Sequence, residues 1–125
     1  MENQNKILLV EDDITLAEVY RSRLEIEGFE VKVVHDGEEA LSTIQQYKPA
    51  LVLLDVMMPK MNGFDVLQSI RNTQATASTR VIMLTALSQS KDKERAEALG
   101  ANEYLVKSQM VIGDVIERVK YHVNS

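Results

Sequence analysis

Residues 51–63 read LVLLDVMMPKMNG. Four aliphatic residues run straight into an aspartate, and Pro59 and Gly63 follow it. An unbroken apolar run of this length fits a strand covered on both faces, the kind found inside parallel sheets. Asp55 then stands where that strand leaves the core. Taken alone, an aspartate there reads equally as a helix N-cap, so its meaning depends on what surrounds it.

Four further short segments extend the pattern: ILLV (7–10), VKVV (31–34), VIML (81–84) and EYLV (103–106). Between them lie stretches with apolar residues at helical spacing. The last is the cleanest, with Ile112, Val115, Ile116, Val119 and Val123 on one face. Gly28 is placed as a C′ residue after the first helix, Asp36-Gly37 turns the chain before the second, and Lys48-Pro49 stops it. Strands alternating with helices predict an α/β fold, a five-stranded parallel sheet flanked by five helices. The first, third and fourth segments are apolar throughout, whereas FEVKVV (29–34) alternates and the fifth contains Glu103. Alternating strands suit sheet edges. The order 2-1-3-4-5 meets this condition with right-handed crossovers. It is the flavodoxin-like three-layer arrangement, in which ligands sit beyond the carboxyl ends of the strands.

The chain has 125 residues, which predicts a single domain over 1–125. Its net charge is -5, which argues against a direct contact with nucleic acid. It has no cysteine, so disulfides and thiolate metal sites are excluded. The opening MENQNK is polar and lacks a signal-peptide core, and no apolar run approaches the ~20 residues of a membrane helix. A cytoplasmic protein without membrane contact is expected.

The strand ends carry the chemistry. Glu11, Asp12 and Asp13 follow the first strand, Asp55 the third, Thr85 the fourth and Lys107 the fifth. In a parallel sheet all four ends meet on one edge. Clustered carboxylates raise one another's pKa and call for a cation. Hard oxygen anions without His or Cys point to Mg²⁺, with Mn²⁺ as a substitute. A carboxylate can attack phosphorus. A metal, the Lys107 ammonium and the Thr85 hydroxyl would then meet the charge on the transferring oxygens.

In this order, Glu11-Asp12, Asp55, Pro59, Gly63, Thr85 and Lys107 resemble the receiver domain of bacterial two-component response regulators, over nearly the whole chain. The resemblance implies that Asp55 is the phosphorylation site. It implies that Asp12 ligates Mg²⁺ directly, that Glu11 acts through water, and that Met57 gives its backbone carbonyl. Thr85 and Lys107 would bind the phosphoryl group, and Tyr104 would be the aromatic switch, turning inward on phosphorylation. The donor would be a sensor histidine kinase or a phosphotransfer protein. The output surface would be the fourth helix, fifth strand and fifth helix, acting on a partner or in a homodimer. The chain would be no enzyme beyond its own phosphorylation and slow autodephosphorylation. Ser108 departs from the family, which usually has Pro after the lysine, often across a cis bond. A non-proline cis bond costs ~3 kcal/mol, so a trans peptide is expected. Ala86 is small enough to leave access to the phosphoryl site, while Leu87 offers no acid or amide to position water, which predicts a phosphate lasting longer than in the fastest-cycling relatives.

Simpler roles compete at several positions. Asp13 suits the first turn of a helix, Tyr104 a half-buried strand position, and Met57, Met58 and Met61 loop packing. His35 is expected to cap a strand, and His122 lies near the chain's end. Asp114 and Glu117 against Arg118 and Lys120 fit either a symmetric dimer contact or a solvated face. Two other functions compete as well. One is an unphosphorylated interaction module of the same fold, which the intact acidic set disfavours. The other is an Mg²⁺-dependent aspartyl-nucleophile phosphatase, disfavoured because Met57 stands where such enzymes carry a second aspartate.

Overall fold

Alternate side chains of each central strand enter opposite layers. Ile7, Leu9, Leu51, Leu53, Ile82 and Leu84 pack to one side, while Leu8, Val10, Val52, Leu54, Val81 and Met83 pack to the other. Both faces are covered, so the strand period of two never produces a polar position, and the central strands read as continuous apolar runs. In the computed structural model, which describes residues 5–125, these strands form one parallel sheet of order β2-β1-β3-β4-β5. The strands are β1 (Lys6–Val10), β2 (Glu30–Val34), β3 (Leu51–Leu54), β4 (Arg80–Thr85) and β5 (Glu103–Val106). The helices are α1 (Ile14–Ile26), α2 (Gly37–Tyr47), α3 (Gly63–Asn72), α4 (Ser90–Ala98) and α5 (Ile112–Val123). The expected fold and strand order are thus observed. The polar start MENQ lies outside the described residues. Among the described residues no helix is long and apolar enough to cross a membrane.

Helices α1 and α5 cover one face through Ala17, Tyr20, Leu24, Val115, Ile116 and Val119. Helices α2, α3 and α4 cover the other through Ala40, Ile44, Phe64, Leu67, Ile70 and Ala96. Side chains set the helix starts: Asp13, Asp36 and Asn62 accept the amides of Leu16, Glu39 and Asp65. Gly28, at φ +97, is the C′ residue after α1, and Lys48 closes α2 at φ 53. Helix α4 is the exception. Only Ala96 of it is fully buried, and its N-cap Gln89 makes no side-chain cap bond. Its far end is held instead by Arg71, which donates to the carbonyls of Gly100, Ala77 and Thr79 and to Asn102 Oδ1.

Edge strand β5 carries the internal acid that marked it as peripheral. Arg118 Nε of α5 lies 2.9 Å from both Glu103 carboxylate oxygens, and His122 Nε2 lies 2.6 Å from Oε1. Lys120 pairs with Glu27 and Glu117. Arg118 and Lys120, the cations considered for a dimer contact, are therefore engaged within the chain. Burial pushes Glu103 up, but its bonds to Arg118 and His122 outweigh this and hold it below the ordinary 4.5. A carboxylate with a depressed folded pKa contributes stability that is complete above 4.5 and is lost as pH falls through the folded value. Glu103→Gln should flatten that part of the acid-denaturation curve. Urea melts between pH 3 and 6 check this (about the carboxylate range); parallel wild-type and variant curves would contradict it.

Candidate functional site

Sheet register places the acids. Val10 pairs with Leu54, so Glu11 and Asp55 leave neighbouring strands at the same height. Their amides extend the ladder by one step, Glu11 N–H to Val34 O and Asp55 N–H to Val10 O, both 3.1 Å. Glu11 is 2% exposed and Asp55 5%, whereas Asp12 is exposed. One carboxylate oxygen from each of Glu11, Asp12 and Asp55 lies within 4.8 Å of the other two.

Lys107 reaches the same point from the 3-10 turn after β5, 107–109. Its Nζ lies 2.7 Å from Glu11 Oε1 and 2.9 Å from Asp55 Oδ2. Burial pushes the Glu11 carboxyl up. The Lys107 hydrogen bond pulls it back and the Asp55 charge pushes it up again, leaving it above its ordinary value. Burial alone would lower Lys107, but the two carboxylates hold its ammonium above the ordinary range. The Met57 amide donates to Asp55 Oδ1 at 3.1 Å. Asp13 faces away as the N-cap of α1, while its own amide donates to Glu11 Oε2 at 3.2 Å. The four groups expected at the strand ends after β1, β3 and β5 therefore meet, and Asp13 keeps the helix role.

Thr85 and Tyr104 meet at a second point, Leu87. Thr85 is the last residue of β4 and fully buried, and its Oγ1 accepts the Leu87 amide at 3.3 Å. Tyr104 donates its hydroxyl to the Leu87 carbonyl at 2.8 Å. Burial, with the negative charges of Asp92 and Asp55, pushes the phenol up to about 12. The ring is only 9% exposed, so the inward position that the resemblance ties to phosphorylation is already occupied here. The physical reason is that the Leu87 carbonyl gives the hydroxyl a partner inside, while the ring joins the apolar layer under α4. Among the described residues no peptide is cis, and the chain passes from Lys107 to Ser108 in trans as expected.

Two contacts near the site were not anticipated from the sequence. His35, expected only to cap a strand, sends its ring to the loop of acids, with Nδ1 3.0 Å from the Glu11 carbonyl. Lys60, at φ 68 in the loop after Asp55, lies 3.6 Å from Asp36 at the start of α2. Both contacts join elements distant in the chain, and residue spacing carries no signal for either.

Known proteins share this architecture. A family model described as "Response regulator receiver domain" matches residues 7–120. The chain is 50% identical over 103 residues to the transcriptional regulatory protein CpxR of Escherichia coli (strain K12), covering 82% of this chain and 43% of that protein. It is 44% identical over 105 residues to the probable transcriptional regulator ycf27 of Cyanophora paradoxa, covering 84% and 43%. The chain thus spans less than half the length of these relatives. Among solved structures, the receiver domain of the Francisella response regulator 1452 superposes with a TM-score of 0.88 at 30% identity, covering 96% of this chain and 97% of that one. The BeF3-activated N-terminal receiver domain of Klebsiella pneumoniae RstA gives a TM-score of 0.90 at 27% identity, covering 97% and 100%.

Proposed function

This chain belongs to the response regulator receiver family, and from that premise we propose that it is a phosphorylation switch whose acceptor is Asp55. The observation that carries the reading is the Lys107 ammonium set between Glu11 and Asp55 inside a cluster of three carboxylates. An Asp55 oxygen bonds to phosphorus as the donor's bond to phosphorus breaks. With a phosphohistidine of a sensor kinase or phosphotransfer protein, the imidazole nitrogen keeps the electron pair; with acetyl phosphate, acetate leaves. The donor set suits Mg²⁺, or Mn²⁺ in its place, because it is all hard oxygen. Charge fits too: three carboxylates against one ammonium leave a formal -2 when all are ionised (-3 + 1). Glu11, Asp12, Asp55 and the Met57 carbonyl would hold the ion, which supplies positive charge to the phosphoryl oxygens.

Lys107 and Thr85 would bind the remaining phosphoryl oxygens. Thr85 Oγ1 accepts the Leu87 amide and can still donate its own O–H to them, and Leu87 is also the residue that anchors Tyr104. One residue therefore links the phosphorylation site to the face formed by α4, β5 and α5, the surface offered to a partner or a second copy. The names of its relatives favour control of transcription as the output of the whole protein. Multiple turnover as a phosphatase is disfavoured, since Met57 offers an amide and a thioether where an acid–base carboxylate is needed.

The test is intact-mass and peptide mass spectrometry after treatment with acetyl phosphate and Mg²⁺, with sizing before and after. One phosphoryl group on Asp55, and none when Mg²⁺ is removed, is expected. An unmodified chain, or a phosphoryl group elsewhere, would overturn the reading. Lys107 gives a second check. Lys107→Met removes the cation that competes for Glu11 and Asp55, so Mg²⁺ should bind several-fold more tightly while phosphoryl uptake falls. Calorimetry with MgCl₂ showing weaker binding would count against Lys107 as the metal's rival.

A further inference from the structure

The turn between β2 and α2 touches the site from outside. Asp36 caps α2 by accepting the Glu39 amide at 2.8 Å, and the Glu39 side chain accepts the His35 amide at 2.9 Å. This reciprocal pair fixes the backbone from which the His35 ring projects. The ring nitrogen Nδ1 lies 3.0 Å from the carbonyl oxygen of Glu11. A carbonyl only accepts, so Nδ1 carries the proton and donates. The Glu11 amide is bound by the neighbouring residue, through Val34 O at 3.1 Å. Both polar backbone groups of Glu11 are thus held by the end of β2.

That carbonyl belongs to the peptide joining Glu11 to Asp12. The peptide is planar, so fixing its oxygen fixes the direction in which the chain enters Asp12. Glu11 has other restraints on its side chain, from Lys107 and the Asp13 amide. Asp12 is exposed, and among the described hydrogen bonds none holds its carboxylate. Its place beside Glu11 and Asp55 depends on the backbone that His35 orients.

We propose that His35 is a positioning residue for the cation site, holding the Glu11–Asp12 peptide so that both carboxylates face one ion. The proposal rests on the reading of the acids as Mg²⁺ ligands. His35 touches no ion. It acts as an outer partner that fixes ligand geometry, a role whose loss typically costs metal affinity 10–100-fold.

The chemistry distinguishes two amide replacements. In asparagine the amide nitrogen is attached to Cγ, as Nδ1 is in histidine, so His35→Asn can keep the donor. In glutamine it lies one bond further out, nearer the position of Nε2. Leucine fills the volume with no donor. Calorimetric titration of the 125-residue chain with MgCl₂ alone should give an affinity within about twofold of wild type for His35→Asn, and about tenfold weaker for His35→Leu and His35→Gln. Thermal melts in EDTA should be similar for all, because the bond orients ligands more than it supports the core. Wild-type affinity in His35→Leu, or equal affinities for Asn and Gln, would overturn the proposal. Asp12→Asn separates the two levels. If wild type binds Mg²⁺ and Asp12→Asn binds it equally well, the assignment of the acids fails, and His35 loses its role with it.

Discussion

Asp55→Asn should take up no phosphoryl group from acetyl phosphate and Mg²⁺, while its fold and its melting in EDTA should stay close to wild type. The first half follows from chemistry. An amide nitrogen has no lone pair to offer phosphorus, and the amide oxygen lacks the negative charge that makes a carboxylate a nucleophile. No nearby group can substitute. The Glu11 oxygens are committed to Lys107 and the Asp13 amide, and Asp12 is exposed at the rim. The second half follows from the hydrogen bonds. The amide oxygen of the variant can accept either from the Met57 amide, as Asp55 Oδ1 does, or from Lys107, as Oδ2 does. One bond is lost, but so is a carboxylate facing Glu11. The measurement is incorporation of radiolabel or the intact mass shift, beside a thermal melt of the same sample. Labelling of the variant at the wild-type level would remove Asp55 from its role. Loss of labelling together with loss of fold would leave the two effects confounded, so the melt is part of the prediction.

The same cluster shows how far residue order reaches. Strand ends could be read because a parallel sheet gathers the residues that follow its strands, whatever their separation: Glu11 and Lys107 are 96 positions apart, yet Lys107 Nζ lies 2.7 Å from Glu11 Oε1. Central and edge strands could be told apart because two-sided burial erases alternation in LVLL, while solvent preserves it in EVKVV. What stayed hidden are contacts set by side-chain reach across elements. Tyr104 was identified through the family pattern, yet nothing in its spacing shows that the Leu87 carbonyl already holds it inward. His35 looked like a strand cap, because its partner is a carbonyl 24 residues earlier and every residue has a carbonyl. Arg71 drew no attention as one arginine among many, although its acceptors on two separate loops pin the turn after α4. Such contacts depend on helix placement to within an ångström, which hydrophobic period does not encode. Residue type at a strand end is informative because the sheet fixes position first and chemistry reads it afterwards.

Gly63 shows the converse, a motif residue whose purpose only the coordinates supply. A Cβ built there would lie 2.3 Å from the Asp55 carbonyl oxygen, 2.7 Å from Val56 Cα and 2.9 Å from the Asp55 carbonyl carbon. All three are backbone atoms at the exit of a central strand, so none can swing away as a side-chain tip would. The Gly63 amide also donates to the Val56 carbonyl at 2.9 Å, which draws α3 close to the loop. Alanine must either break this bond or displace Asp55 itself. Gly63→Ala should therefore cost about 3 kcal/mol or more, at the severe end of overpacking, and lower the melting temperature on the order of 10 °C. Gly113, within α5, is the control: a Cβ there meets nothing within 4 Å. Gly113→Ala should leave stability unchanged or raise it by up to about 1 kcal/mol, as alanine does in a helix. Urea melts of the two variants decide the matter. If Gly63→Ala proved as stable as Gly113→Ala, the close approach of α3 to the Asp55 peptide would not be what holds the loop after β3 in place.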